Sequence, residues 1–376
     1  MKKILFISHE ASRTGAPILL LNLVKWISEE KQHDYLVSVL FVKGGDLISE
    51  FNKYSETYLL YTINKPKNIF TRIKNRVKKN KNESFYKRKW DLIFSNTIVN
   101  GKIIETIRNF STAPIVSYIH ELDYSIDIFL KRGVVQGTLK YANFYICGSK
   151  LVKETLVKNY KIAQEKTKVV YSFINFKSNS KNLLIAERIK KELNIPKDAF
   201  VVGMMGSLIW RKGPEFFVET ALSLQKENIY FLWIGANNQD YIDKMNYDFE
   251  KLNTKAKVLF IPPSSEYFNY YNVMDVFYLS SREDPYPMVM VEASSYGIPI
   301  ICYKNAGGTQ EFIDAKTGVV VPYGNTIDAA NKIQNYYENK LLLKEHAAYI
   351  KKKSKEKHDI AINALQIANI INQFIT

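Results

Sequence analysis

Ser280-Ser281-Arg282-Glu283-Asp284-Pro285-Tyr286-Pro287-Met288-Val289-Met290-Val291-Glu292-Ala293, closed by Gly297-Ile298-Pro299, is the run on which the reading of this chain turns. An apolar strand, Val276 to Leu279, precedes it, a helix opens at about Met288, and a further strand, Pro299 to Tyr303, follows. Strand, loop, helix and strand in that order call for a parallel sheet covered by helices. The first N–H groups of the helix, near Pro287, Met288 and Val289, point back toward the loop, where an anion such as a diphosphate would suit them. Glu292 lies one turn past Met288 and Asp284 precedes the helix, so the two carboxylates are at most about 12 Å apart along the axis. They are too far apart for an interacting carboxylate pair and could grip opposite ends of one extended ligand.

Outward from this run the same alternation continues in both directions. Strands are expected at Phe200 to Met205, Tyr230 to Ile234, Val258 to Ile261 and Val319 to Val321, with helices at Pro214 to Gln225, Tyr241 to Leu252 and from about Ile327. The amino-terminal half repeats the pattern, with strands at Ile4 to Ser8, Leu36 to Val42, Leu92 to Ser95, Ile115 to Ile119, Phe144 to Cys147 and Lys168 to Phe173. After the first strand, Thr14-Gly15-Ala16-Pro17 reads as a tight turn with proline at the first helical position. A polar stretch near Lys177 to Lys181 divides the halves. The expected organisation is an α/β chain with domains at 1–176 and 177–355, then a terminal amphipathic helix at 356–376 that packs on the amino-terminal domain. Two doubly wound units facing across a cleft would present their ligand loops at the carboxyl ends of the strands.

A length of 376 residues exceeds what a single core usually sustains, and 46% hydrophobic with 24% charged residues is an ordinary globular composition. The apolar run after Met1 breaks at Ser8-His9-Glu10, too short for a signal peptide, and about 18 uninterrupted apolar residues occur nowhere. A cytoplasmic protein is expected. Cys147 and Cys302 stand apart in apolar runs and read as buried thiols. The net charge of +16 is uneven: Lys65 to Lys89 holds eleven Lys or Arg against Glu83 alone. A solvated surface is one reading of that segment. An anionic membrane is another, supported by interspersed Ile69, Phe70, Ile73, Val77, Phe85 and Tyr86. No nucleic-acid-binding motif accompanies the charge, so nucleic acid is not expected as a partner.

The acidic residue, seven others, then Glu, set between strand and helix, resembles the signature of glycosyltransferase family 4, the retaining enzymes of GT-B fold, and the resemblance runs over nearly the whole chain. It implies two Rossmann-like domains and a nucleotide-sugar donor. By this resemblance Glu292 holds the nucleotide ribose and Asp284, where the family has Glu, contacts sugar hydroxyls, with Glu283 beside it. Gly206-Ser207-Leu208-Ile209-Trp210-Arg211-Lys212-Gly213 resembles the family's diphosphate loop: Lys212 takes the lysine position, and Arg211 stands in for the arginine that Ser207 replaces. Paired cations there would stabilise charge on the leaving group. Gly15-Ala16-Pro17 resembles the family's glycine-containing first loop, which lets donor or acceptor approach closely. His120, in Ile119-His120-Glu121-Leu122, resembles its histidine near the donor sugar. Gly307-Gly308-Thr309-Gln310-Glu311 resembles a further ligand loop.

The resemblance implies transfer to a glycan or lipid-linked acceptor with retention, through an oxocarbenium-like state and without an enzyme nucleophile, in surface polysaccharide or glycolipid synthesis. Neither a metal nor another cofactor is expected, since no acidic pair reads as a metal site. Two alternatives share the fold: a nucleotide-sugar epimerase, which would turn over donor without acceptor, and a nucleotide-sugar-binding protein that transfers nothing.

Overall fold

The computed structural model describes residues 1–31, 34–60, 85, 88–176, 180–224, 226 and 228–375. It divides into two compact units, Met1–Ile174 with Ile360–Thr376, and Asn175–Asp359. The first holds a seven-stranded parallel sheet of β1 (Lys2–Ser8), β2 (Tyr35–Phe41), β3 (Glu56–Leu59), β4 (Leu92–Ser95), β5 (Ile115–Ile119), β6 (Phe144–Cys147) and β7 (Thr167–Val169), in the order β3-β2-β1-β4-β5-β6-β7. The second holds six parallel strands, β8 (Phe200–Met205), β9 (Ile229–Ile234), β10 (Lys257–Ile261), β11 (Val276–Leu279), β12 (Ile300–Tyr303) and β13 (Gly318–Val321), in the order β10-β9-β8-β11-β12-β13. Each unit is Rossmann-like, and the two together make the GT-B fold. Near-continuous burial of β1, β4, β5, β8, β11 and β12 is what a sheet covered on both faces requires.

The differences from the sequence reading have local causes. Strand β3 was not expected: Glu56 and Thr57 dilute its apolar signal, yet it pairs with Ser38 to Phe41 along the sheet edge. Strand β7 ends at Val169 instead of Phe173, because Val169 is paired with Cys147, the last residue of β6. The first helix, Gly15–Glu30, begins two residues before Pro17, so proline is third in it, not first. Its helical ladder begins with Ile18 N–H to the Thr14 carbonyl, so the missing N–H of Pro17 falls in the unladdered first turn and costs no bond.

The helix Lys340–His358 runs past the expected boundary at 355 because His358 is buried in the second unit. The last helix, Ile360–Asn372, groups with the first unit; Ile360 N–H bonds the Ile174 carbonyl and Phe374 packs on Phe144. Both cysteines are buried, and burial pushes each thiol up to about 12, which keeps them protonated.

Most of the basic segment 65–89 lies outside the described residues, but its end corrects one expectation. Phe85 is no membrane anchor: it is buried against Tyr58, Trp90 and Phe110. Arg88 is likewise engaged, bonding Glu56 and Tyr58 and lying 5.4 Å over the Trp90 ring. Among the described residues no helix is long and apolar enough to cross a membrane.

Candidate functional site

In the second unit the strand order reverses between β8 and β11, which leaves the loops after these two strands side by side at their carboxyl ends. The β8 loop carries Arg211 and Lys212, and the β11 loop carries Asp284. Lys212 Nζ donates to Asp284 Oδ2, Arg211 Nη1 donates to Asp284 Oδ1 at 3.2 Å and to the Glu283 carbonyl at 2.7 Å, and Ser281 Oγ donates to Asp284 Oδ2 at 3.2 Å. Burial alone would raise the Asp284 carboxyl, but Lys212 and Arg211 outweigh it and hold the group below the usual carboxylate range. Burial also lowers the Lys212 ammonium, opposed by Asp284. Two cations against one carboxylate leave the cluster with one positive charge in excess, where burial strengthens its pull on an anion. Gly206, at φ +149°, leaves the room through which the Lys212 chain passes: an added Cβ would stand 3.3 Å from Lys212 Cε.

The loop that carries Asp284 is fixed from two sides. Asp284 N–H bonds the Ala306 carbonyl at 2.7 Å, and Gly308 N–H bonds the Pro285 carbonyl at 2.9 Å. Gly307 sits at φ +142°, and a Cβ there would lie 1.8 Å from the Asp284 carbonyl oxygen. Gly307→Ala should therefore destabilise the protein by more than about 2 kcal/mol, read as a shift in the denaturant midpoint. Wild-type stability in that variant would mean the two loops can separate freely. On the other side Tyr286 Oη lies 2.7 Å from His358 Nε2, and His358 Nδ1 lies 3.2 Å from Ser354 Oγ, which meets Ser294 Oγ at 2.7 Å. All four side chains are buried, and burial holds His358 neutral, down at about 3. Tyr286→Phe keeps the ring and orphans the His358 nitrogen, so it should cost about 1 to 3 kcal/mol in unfolding free energy. Adding His358→Phe should then cost less than it does in the wild type.

Glu292 projects from the helix Met288–Ser295 toward the short helix Tyr267–Asn272. Tyr271 Oη donates to its Oε2 at 2.7 Å and Tyr267 Oη to its Oε1 at 2.9 Å. Burial raises its carboxyl to about 7, against the two tyrosine hydroxyls, which favour the ionised form. The first N–H turned back into this helix is that of Met290, bonded to the Pro287 carbonyl at 3.1 Å, so the N–H groups of Met288 and Val289 precede the helical ladder. Glu283 is half-buried, and its carbonyl serves Arg211.

The first unit has its own reversal, between β1 and β4, and a polar cluster gathers there. Asn96 Nδ2 donates to the Ala16 carbonyl at 2.8 Å, which turns Asn96 Oδ1 toward His120 Nε2 at 3.1 Å. An amide oxygen only accepts, so the His120 proton sits on Nε2 and Nδ1 is left as an acceptor. Burial, with His9 nearby, lowers His120 to about 3 and keeps the ring neutral. Glu121 fixes the backbone around it, accepting from His120 N–H at 2.9 Å, Ile98 N–H at 3.3 Å and the Thr97 hydroxyl. Gly15 is exposed as the first residue of its helix, next to Ala16.

The structure thus brings Asp284, Arg211 and Lys212 into one cluster that also takes in the Glu283 carbonyl, and places Met288, Val289 and Glu292 on the helix that follows in the chain. His120 and Gly15 belong to the first unit's loops. Sequence reasoning missed Asn96, Tyr267 and Tyr271, and gave Glu121, Ser281 and Tyr286 no role. Asn96 could have been found as the first polar residue past an apolar strand, and Tyr267 with Tyr271 as an aromatic pair four residues apart. Among the described residues no group of three or more His, Cys, Asp or Glu is arranged to hold a metal ion.

The family described as Glycosyl transferases group 1 matches residues 185–357. The chain is 23% identical over 313 residues to the O-antigen biosynthesis glycosyltransferase WclY of Escherichia coli, an alignment covering 80% of this chain and 79% of that one. It is 24% identical over 197 residues to the capsular polysaccharide biosynthesis glycosyltransferase CapM of Staphylococcus aureus, covering 52% of this chain and 50% of CapM. In structure it is similar to Anabaena HepE in complex with UDP and glucose, with a TM-score of 0.82 and 20% identity over 99% of this chain and all of the other. HepE has also been solved with UDP-glucose, and that structure matches with a TM-score of 0.80 at 21% identity over 99% of this chain and all of that one. Residues 185–357 thus match the model of the group 1 glycosyl transferases, and the chain that carries them has the GT-B fold.

Proposed function

We propose that the protein transfers a sugar, with retention of configuration, from a nucleoside diphosphate sugar to a glycan or lipid-linked acceptor in surface polysaccharide or glycolipid synthesis. The observation that carries this reading is the pair of half-buried cations, Arg211 and Lys212, on the buried Asp284 carboxylate at the strand-order reversal, one positive charge in excess, in the loop that leads into the helix bearing Glu292. In this reading the two cations and the Met288–Val289 N–H groups take the diphosphate, Asp284 takes sugar hydroxyls, and Glu292 takes the ribose diol. His120 accepts a hydroxyl hydrogen at its free Nδ1. The bond from sugar to diphosphate breaks with the electron pair going to the phosphate oxygen, and the acceptor oxygen attacks the same face and passes its proton to that departing oxygen. Charge on the leaving group is met by Arg211 and Lys212, so the reaction should need no metal. UDP-linked donors head the candidates, because HepE is bound to UDP and UDP-glucose in its solved structures.

A thermal-shift panel of nucleotide sugars, followed by turnover with and without glycan and lipid-linked acceptors and NMR of the anomeric product, tests the reading. Stabilisation by a donor and acceptor-dependent release of the nucleoside diphosphate are expected. Donor consumed equally without acceptor would favour an epimerase, and binding without any turnover a non-catalytic protein. Excess EDTA should leave the transfer rate within about twofold; a rate abolished by EDTA and restored by Mg²⁺ or Mn²⁺ would transfer the leaving-group role from Lys212 and Arg211 to a metal.

A further inference from the structure

We propose that the second unit docks on an anionic lipid surface through the outward face of the helix Lys340–His358. Between these residues the sequence has seven lysines against Glu345 and Glu356. The helix is strictly two-sided. His346, Ile350, Ser354 and His358 recur every fourth residue and are buried, while Ala348, Lys351, Lys352 and Lys355 follow the i, i+3, i+4, i+7 spacing of a single opposite stripe. With Phe176, these four line an open hollow of 370 Å³. Ala348 leaves the floor of the hollow low, Phe176 forms an apolar wall, and the three ammonium groups stand within about two helical turns. Lys351, Lys352 and Lys355 are exposed, and none of them forms an ion pair among the described residues, whereas Lys353, on the flank, is committed to Asp314 at 2.7 Å.

Beside the patch, Lys181 donates to the Met274 carbonyl at 2.6 Å and faces Asp275, so the free charge rests on Lys351, Lys352 and Lys355. Lys181 lies close enough to Lys351 to be disfavoured by it electrostatically. Directly after Lys181 begins the helix Leu183–Glu192, whose first two residues, Leu183 and Leu184, are 77% and 76% exposed. At that exposure the leucine pair packs little against the described residues of this unit. Cations bracketing exposed leucines and an aromatic ring are what a peripheral helix offers to a bilayer: charge for the headgroup phosphates, apolar tips for the acyl boundary. A soluble polyanion would use the lysines and leave the leucines in water, so the observations favour the lipid surface.

The test requires no donor or acceptor, so it succeeds or fails independently of the transferase reading. Cosedimentation is measured with vesicles of phosphatidylcholine alone and mixed with phosphatidylglycerol. Wild type should bind only the anionic vesicles. The triple variant Lys351→Gln/Lys352→Gln/Lys355→Gln, exposed at all three positions and so unchanged in melting temperature, should lose affinity on the order of a hundredfold, about fivefold per lysine. Neutralising Lys74, Arg76, Lys78 and Lys79 in the amino-terminal basic segment should leave that dependence on the triple in place. Leu183→Trp should shift its emission to the blue on anionic vesicles. Equal sedimentation of triple variant and wild type, no binding to anionic vesicles, or an unshifted tryptophan would each overturn the proposal. So would a dimer in ultracentrifugation that the triple variant abolishes, which would assign the face to a second copy of the chain.

Discussion

Replacing Lys212 by alanine is expected to reduce turnover by about a hundredfold to a thousandfold, the loss typical of removing one preorganised group that meets developing negative charge. The structure adds a second cost that the sequence does not reveal. Lys212 is half-buried and paired with Asp284, so its removal leaves a buried carboxylate less compensated. Arg211 and Ser281 still reach that carboxylate, which keeps the destabilisation below the roughly 3 to 5 kcal/mol of a fully orphaned buried charge. The two costs separate in the double variant Lys212→Ala/Asp284→Asn. A neutral amide no longer needs the ammonium, so stability should recover, while turnover should stay well below that of Asp284→Asn alone, which already lacks the sugar contact. If turnover matched that of Asp284→Asn, Lys212 would serve only to neutralise Asp284, and the leaving-group assignment would fall.

How far the sequence reached can be judged on particular residues. The register of Asp284 over Glu283 followed from counting back from Glu292, and in the structure it is the Asp284 side chain, not that of Glu283, that lies buried beneath both cations. Twelve of the thirteen described strands were legible, the central ones because doubly covered parallel strands are apolar along nearly their whole length; the exception, β3, opens with Glu56 and Thr57 at a sheet edge. What stayed illegible was contact between residues distant in the chain. Nothing local to Tyr286 points to His358, 72 residues on, and nothing around Glu292 points to Tyr271, 21 residues back. Such pairs are set by how helices lie on the sheet, and sequence periodicity specifies only which face of each helix turns inward. The excess charge of the Arg211, Lys212 and Asp284 cluster was hidden for the same reason: the three residues were read as separate contacts to one ligand, whereas they are each other's partners.

Donor affinity should fall about a hundredfold between pH 8 and pH 5, and Glu292 should be the cause. With its carboxyl at about 7 in the free protein, Glu292 is mostly ionised at pH 8 and almost wholly protonated at pH 5. A ribose diol donates both hydrogens and needs an acceptor, so only the ionised form binds it well, and affinity drops tenfold for each pH unit below 7. The four described histidines do not compete for this assignment, since burial foremost lowers His9, His120, His346 and His358 alike. Folding stability carries the opposite sign. A carboxyl raised from 4.5 to about 7 stabilises the fold fully below pH 4.5 and loses that contribution as pH rises through 7, up to about 3 kcal/mol. Glu292→Gln should therefore abolish both slopes, weakening the donor at pH 8 while making the fold more stable there than the wild type. Tyr271→Phe supplies the finer test: the lost hydroxyl favoured the ionised carboxylate, so the midpoint for donor binding should move above 7. Calorimetry with UDP-glucose, whose diphosphate diester does not titrate in this range, reads the profile directly. A Glu292→Gln profile as steep as that of the wild type would remove Glu292 from the ribose, and an unmoved midpoint in Tyr271→Phe would mean that the titrating group is not the one these two tyrosines hold.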